Sequence, residues 1–250
     1  MNDKDNTENQ FTPLSMESVV EDLFGLNLRG LRSIAKLWVR PRDYFTAAKA
    51  VNWNDTFTPS IRLWLFFFAL FSAFKFLWVG NGEGMIEAFA NGFTDARIQV
   101  PEGQSYRDIG KEAVQIIFGI LPFMQIIGTI IIAFMYPFWG ERTTVALRQR
   151  YFFGVIVPSA SLMPVFMTVM MFIPSQSLTV YGFGLALITL IIDFQTGYRG
   201  AFLNVSGLSR AWRAGLLSLI VVGFNMAVTV LAQTIGIIFI GQKYGFMLVG

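Results

Sequence analysis

Long apolar runs alternate with polar segments along the chain, and each run is close to the length a helix needs to cross a bilayer. Such a helix takes about 20 mostly apolar residues at roughly 1.5 Å of rise each. The pattern predicts spans over about 59–80, 114–139, 152–173, 178–197 and 216–240. The first holds the run LWLFFFALFSAFKFLWVG, with Trp64 and Trp78 toward its ends, where aromatic belts form. Thr58 and Pro59 have the character of an N-cap and first helical residue for it. Pro122 interrupts the second span, and Pro158 and Pro164 the third. The link Pro174-Ser175-Gln176-Ser177 is short enough to force the third and fourth spans into an antiparallel hairpin. The fold class expected is all-α: a polytopic transmembrane helix bundle of about five spans, with an amphipathic cytoplasmic helix before it.

The polar segments divide the rest. Residues 1–15 read as a disordered polar tail and 16–58 as a cytoplasmic amphipathic segment, leaving 59–250 as the transmembrane domain. No basic n-region and apolar run open the chain, so the first span is expected to act as the insertion signal. Over 18–40 the spacing predicts a helix, with Ser18 and Glu21 at capping-box distance. Phe24, Leu28, Leu31, Ala35 and Trp38 share one face at intervals of four and three, and Arg29, Arg32, Lys36 and Arg40 form a second stripe beside it. Pro41 ends the helix, because the residue before a proline is pushed out of the α region. The favoured reading is an interfacial helix with its apolar face among the headgroups and its cations on anionic lipid. Its candidate interface residues are Arg29, Arg32, Lys36, Trp38 and Arg40. The plainer alternative is a helix packed on the protein's own cytoplasmic side. Residues 41–58 read as a connector that has room for one more helix ending near Asn52, Glu83–Asn91 as a short helix, and Pro101-Glu102-Gly103 as a turn.

Charge fixes an expected orientation. The N-terminal flank carries Arg40, Arg42, Lys49 and Arg62, and the 2–3 and 4–5 connectors add three cations each. The 1–2 loop has three cations against six acids, and the 3–4 turn has none. The positive-inside rule then places the N-terminus in the cytoplasm and the C-terminus outside, in a plasma membrane of bacterial inner-membrane type.

Composition removes most chemistry. With no His and no Cys there is no imidazole base, no thiol nucleophile and no metal site built on either. The chain is 54% hydrophobic and 14% charged, against about 25% charged in a soluble domain. The net charge of +3 sits beside the spans, where it marks cytoplasmic flanks and not a nucleic-acid partner. Gly80-Asn81-Gly82-Glu83-Gly84 lacks the lysine of a phosphate loop. No enzyme and no cofactor are expected; membrane lipids are, together with protein partners or self-association.

Inside the spans, small and polar residues fall in stripes that are expected to face the bundle interior. The fifth span has Ser218, Val222, Asn225, Thr229, Ala232 and Gly236, with Gln233 beside them; the second has Gln115, Gly119, Pro122, Gln125, Thr129 and Ala133; the third has Gly154, Pro158, Ser161 and Thr168. Helix packing alone accounts for such faces. The sharper reading is a polar cavity or solute path using Gln125, Asn225 and Gln233. Lys75, the one charge inside the first span, is expected to snorkel toward Gly80. Asp193 is expected near the cytoplasmic interface, bridged to Arg199 or a neighbouring connector.

The segment Arg40-Pro41-Arg42-Asp43-Tyr44-Phe45 before the first span, the five spans, and the stretch Tyr198 to Ala214 before the last resemble the Ypt/Rab-GTPase-interacting membrane protein family, in particular its uncharacterised bacterial members. The resemblance covers about residues 30 to 240 and implies a five-helix bundle without enzymatic chemistry. Eukaryotic members act in vesicle trafficking with small GTPases; no residue here matches a GTPase-binding motif, so that role is not carried over. Two functions are thus expected: foremost a non-enzymatic scaffold, lipid-interacting factor or partner-binding module working through its basic N-terminal surface, and second a transporter or channel for a small neutral or weakly charged solute.

Overall fold

A backbone in hydrocarbon must satisfy its own polar groups, and helices do this within one segment. The computed structural model describes residues 28–50, 52–78, 83–96, 100–134 and 143–244, with only the backbone at 75–78. Among these residues the α-helices are α1 (Leu28–Val39), α2 (Pro41–Ala47), α3 (Ser60–Trp78), α4 (Glu83–Asp95), α5 (Tyr106–Phe134), α6 (Val145–Met170), α7 (Leu178–Thr196) and α8 (Gly207–Tyr244). No strand occurs among them. The expected tail over 1–15, the Ser18/Glu21 capping box, Phe24 and the Lys75 side chain lie outside the described residues.

Four helices are long and apolar enough to cross a membrane: α5, α6, the stretch Ser175–Ala201 containing α7, and α8. The protein is therefore of the integral-membrane type. The fully described part of α3, Ser60–Phe74, is apolar but shorter. Helices α5, α6 and α8 start upstream of the expected spans, at Tyr106, Val145 and Gly207, since polar residues at a helix end can extend the helix into water.

Chain direction alternates through the bundle. Ser60 Oγ of α3 donates to the Arg150 carbonyl of α6 at 2.9 Å, and the rings of Trp64 and Phe153 lie 5.1 Å apart, so α3 and α6 run side by side in the same direction. Helix α7 returns along α6 after the short turn at Ser175–Ser177. Helices α5 and α8 are antiparallel: Gly128 lies against Phe224, and Gly236 against Ile117. The described chain thus begins and ends at opposite ends of the bundle.

One end is plugged. Helices α1 and α2 fold back onto the start of α6, and Leu37, Tyr44 and Phe45 are fully buried there with Tyr151, Phe152 and Phe153. The Phe45 ring fits between two glycines: a Cβ at Gly200 would lie 2.4 Å from it, and one at Gly154 2.8 Å. Gly200 belongs to a π-turn, Gly197–Ala201, closed by Phe202 N–H to the Gly197 carbonyl at 3.2 Å. Two arginines bind carbonyls at the ends of the small helices. Arg150 donates to the carbonyls of Ala48 and Ala50 at 2.7 and 3.3 Å, and Arg199 to that of Val39 at 2.8 Å, as cations do near helix C-termini.

Thr58 does not cap α3 as expected. Its N–H donates to Ser33 Oγ at 2.9 Å and its carbonyl accepts from the Tyr44 hydroxyl at 2.9 Å, so it ties α1 and α2 to the head of α3. Burial pushes the Tyr44 phenol above its ordinary pKa.

The opposite, hairpin end is covered by α4, whose Gly84 approaches the Ile173 carbonyl just before the 175–177 turn. Phe93, Ile109, Ala113 and Ile240 make a small separate core there. Ion pairs Arg107–Glu83 and Lys243–Glu112 cross its surface. The turn expected at 101–103 is present, with Gly103 at φ +81° and Gln104 N–H donating to the Pro101 carbonyl.

Candidate functional site: a cavity inside the bundle

Between the plug and the hairpin end the bundle is not filled. A cavity of about 500 Å³ lies among α3, α5, α6, α7 and α8, within the range of small-molecule sites. Its walls are mainly apolar, led by Trp64, Phe67, Phe71, Met163 and Phe224. The three residues expected in the bundle interior, Gln125, Asn225 and Gln233, all line it, although Gln233 departs from that expectation by being exposed. The packing explanation for these polar stripes is therefore only part of the answer. The α8 stripe divides along its length: Val222, Asn225 and Thr229 face the cavity, whereas Ala232 and Gly236 are buried, with Gly236 held against α5. Gln115 and Thr168 depart from expectation by being exposed; Thr168 bonds its own helix, Oγ1 to the Pro164 carbonyl at 2.9 Å.

At the cavity floor sits Asp193, 1% exposed. Ser159 Oγ donates to its Oδ1 at 2.6 Å. Its other oxygen, Oδ2, has no hydrogen-bond partner among the described residues. The expected bridge to Arg199 is not made, because Arg199 is used on the Val39 carbonyl. The carboxyl is enclosed by protein, not open to water. The π-turn draws Gly200 beneath Phe45, at the same end of α7 as Asp193.

Toward the hairpin end the cavity opens sideways. Its lining residues there on α7 and α8, including Gly182, Phe183, Met226 and Val230, are themselves exposed. A Cβ on Gly182 would meet nothing within 4 Å. From Asp193 to Leu178 the lining covers about 22 Å of α7 at 1.5 Å per residue. The shape is a wedge, enclosed at Asp193 and open to the surroundings of the bundle at the other end, where Thr179 and Gln233 line it among apolar side chains.

Polar groups along it are unequally satisfied. Asn225 Nδ2 donates to the Val221 carbonyl at 2.9 Å, and Thr229 Oγ1 to that of Asn225 at 2.8 Å, both within α8. Gln125 Oε1, like Asp193 Oδ2, is buried without a partner among the described residues. Leaving such a group unpaired costs about 1–3 kcal/mol, and two of the buried atoms without a partner among the described residues belong to residues that line this cavity.

The second candidate region, α1, presents three faces. Gly30, Ser33 and Leu37 are buried against the protein. Most of the expected apolar stripe points away from it: Leu31 is 49% exposed, with Leu28 and Ala35 exposed beside it, whereas Trp38, 36% exposed, turns toward α6. The helix thus packs on the protein by a face the periodicity had not singled out. The cationic stripe is partly engaged: Arg29 donates to the Asn54 carbonyl at 3.0 Å and Lys36 pairs with Asp43 at 2.9 Å, while Arg32 and Arg40 are exposed. The bond from Lys36 holds the Asp43 carboxyl below its ordinary pKa. Trp38 Nε1 reaches Ser161 Oγ of α6 at 3.2 Å.

No group of three or more metal-ligating side chains occurs among the described residues. No protein-family model, curated protein or solved structure matches the chain.

Proposed function

We propose that this membrane protein binds a small, largely apolar molecule that reaches the cavity sideways from the lipid, with its one polar group held at the floor. The carrying observation is the wedge itself: apolar walls ending on a buried carboxyl with a free oxygen. In hydrocarbon an ionisable side chain is costly to keep, and those retained usually serve a ligand or ion path. The geometry favours the solute-binding reading over a scaffold with a filled interior. The sealed floor speaks for a binding protein or carrier rather than a continuous pore.

The test uses protein in zwitterionic nanodiscs, with triphenylphosphine oxide as a neutral probe measured by equilibrium dialysis against empty discs. Saturable binding to one site is expected, lost in Ala186→Trp, which fills the cavity. Absence of saturable binding, or an Ala186→Trp protein that binds as well, would overturn the reading.

We place α3 as a further span beside the four longer ones, the plugged end in the cytoplasm and the C-terminus outside. The clustering of arginines at the plugged end supports this, as does the mixed charge at the hairpin end. Non-enzymatic action in a plasma membrane and a scaffold role remain compatible with it. The exposed stripe Leu28, Leu31, Ala35 and Trp38 specifically favours a second contact, in which α1 lies on the membrane surface with Arg32 and Arg40 toward lipid phosphates. Amide exchange over residues 28–40 of the full chain should be slower in anionic than in zwitterionic nanodiscs, and equal rates would remove the electrostatic part.

A further inference from the structure

The cavity's own chemistry narrows what it holds. Among the described lining residues, Asp193 Oδ2 and Gln125 Oε1 are buried without a partner, and both are acceptor oxygens when the carboxyl is ionised. The aromatic walls offer the electron-rich faces of Trp64, Phe68, Phe152 and Phe224. No Lys or Arg lines the cavity among the described residues. An anion would therefore meet a carboxyl and ring faces with no counter-charge. A neutral acceptor would leave both free oxygens unpaired.

From this, we infer that the occupant is an organic cation with an apolar body: its charged centre pairs with Asp193 at the floor and its hydrocarbon or aryl groups fill the wedge toward α7 and α8. The lining rings add cation–π attraction, which strengthens where water is excluded. Ser159 is the positioning residue. By donating to Oδ1 it fixes the carboxyl among the lining residues at the floor. The sideways opening suits such a ligand, because amphiphilic cations collect in the membrane and reach a site from within it.

This inference rests on the cavity-binding reading, and one set of measurements separates the two. Tetraphenylphosphonium and triphenylphosphine oxide share an aryl body and differ in charge. Both are dialysed against wild-type protein in zwitterionic nanodiscs, then against Asp193→Asn, Asp193→Glu and Ala186→Trp. Wild type should bind the cation about tenfold more tightly than the neutral probe, the scale of one buried charge contact. Asp193→Asn should abolish that preference, and Asp193→Glu should retain it. Equal wild-type affinities for the two probes, or a preference that persists in Asp193→Asn, overturn the cation inference and leave the cavity reading standing. Loss of both probes from wild type overturns the cavity reading itself. Should Asp193→Asn fail to fold, the wild-type ratio still decides, and Gln125→Leu gives a second arm with an expected loss of a few-fold in the cation only.

Discussion

The two halves of the bundle are built from similar residues and do opposite things with them. At the plugged end, Tyr44, Phe45, Trp53, Tyr151, Phe152 and Phe153 interlock with little exposure. Rings meet edge to face, as Phe45 does with Tyr151 at 5.4 Å and Tyr44 with Trp53 at 5.7 Å. Toward the hairpin end, Phe71 and Phe183 line an opening, and Phe183 is 60% exposed. The difference is the presence of a second layer. Helices α1 and α2 supply side chains that fill the space between α6 and the π-turn, whereas no described segment fills the space between α7 and α8. Aromatic content therefore does not foretell packing; a partner surface does.

Glycines sharpen the same contrast. At the plugged end they permit ring insertion, and in the outer part of α7 they face open space. The cavity follows from that asymmetry, since small residues on α7 remove material where nothing else replaces it.

Substitutions can break this comparison. The largest effect is expected from Phe45→Ala, which empties the space between Gly154 and Gly200 and should cost about 3–5 kcal/mol. A thermal unfolding series in detergent should show the melting temperature falling well below that of any single substitution in the wide part of the cavity. Gly200→Ala comes next. Its methyl would meet Phe45 and Pro41 inside van der Waals distance, for an expected loss of about 1–3 kcal/mol in the same assay. A neutral result there would show that the plug is loosely seated.

Arg150→Met should cost about 1–2 kcal/mol. It removes the bonds to Ala48 and Ala50 and the guanidinium 4.7 Å from the Trp53 ring centre, although the aliphatic stem remains. Limited proteolysis should then cut the 48–58 segment faster, while probe binding in the cavity stays as in wild type. The smallest effect is reserved for Gly182→Ala, which meets nothing and adds helix propensity; a gain of up to about 1 kcal/mol is expected. A loss there would mean that α7 closes against a neighbour.

Much of the fold was legible because long uncharged runs admit few structures in hydrocarbon. The helix over each expected span, the tight hairpin at 174–177 and the turn at Gly103 all follow from local pattern. Gln125 and Asn225 were legible as interior candidates because a polar side chain on an apolar helix avoids lipid, and both line the cavity, whereas Gln233 lines it from an exposed position. Asp193 was placed in the interior too late in the chain to be recognised as such: its position near the end of a span suggested water, and nothing in the spacing signals that α1 and α2 will cover it. The signal that was available is the glycine pair Gly197 and Gly200 beside it, which marks close approach by another element.

What the sequence determined by itself is the solvent of each segment, because hydropathy and charge act on each stretch independently of its neighbours. Tertiary structure alone decided which face of α1 turns inward, where Arg199 spends its hydrogen bonds, and that the polar stripes border an opening instead of one another. Those outcomes depend on shape at contacts far apart in the chain, where a single ring such as Phe45 fits or fails to fit between two glycines, and no periodicity along one helix carries that information.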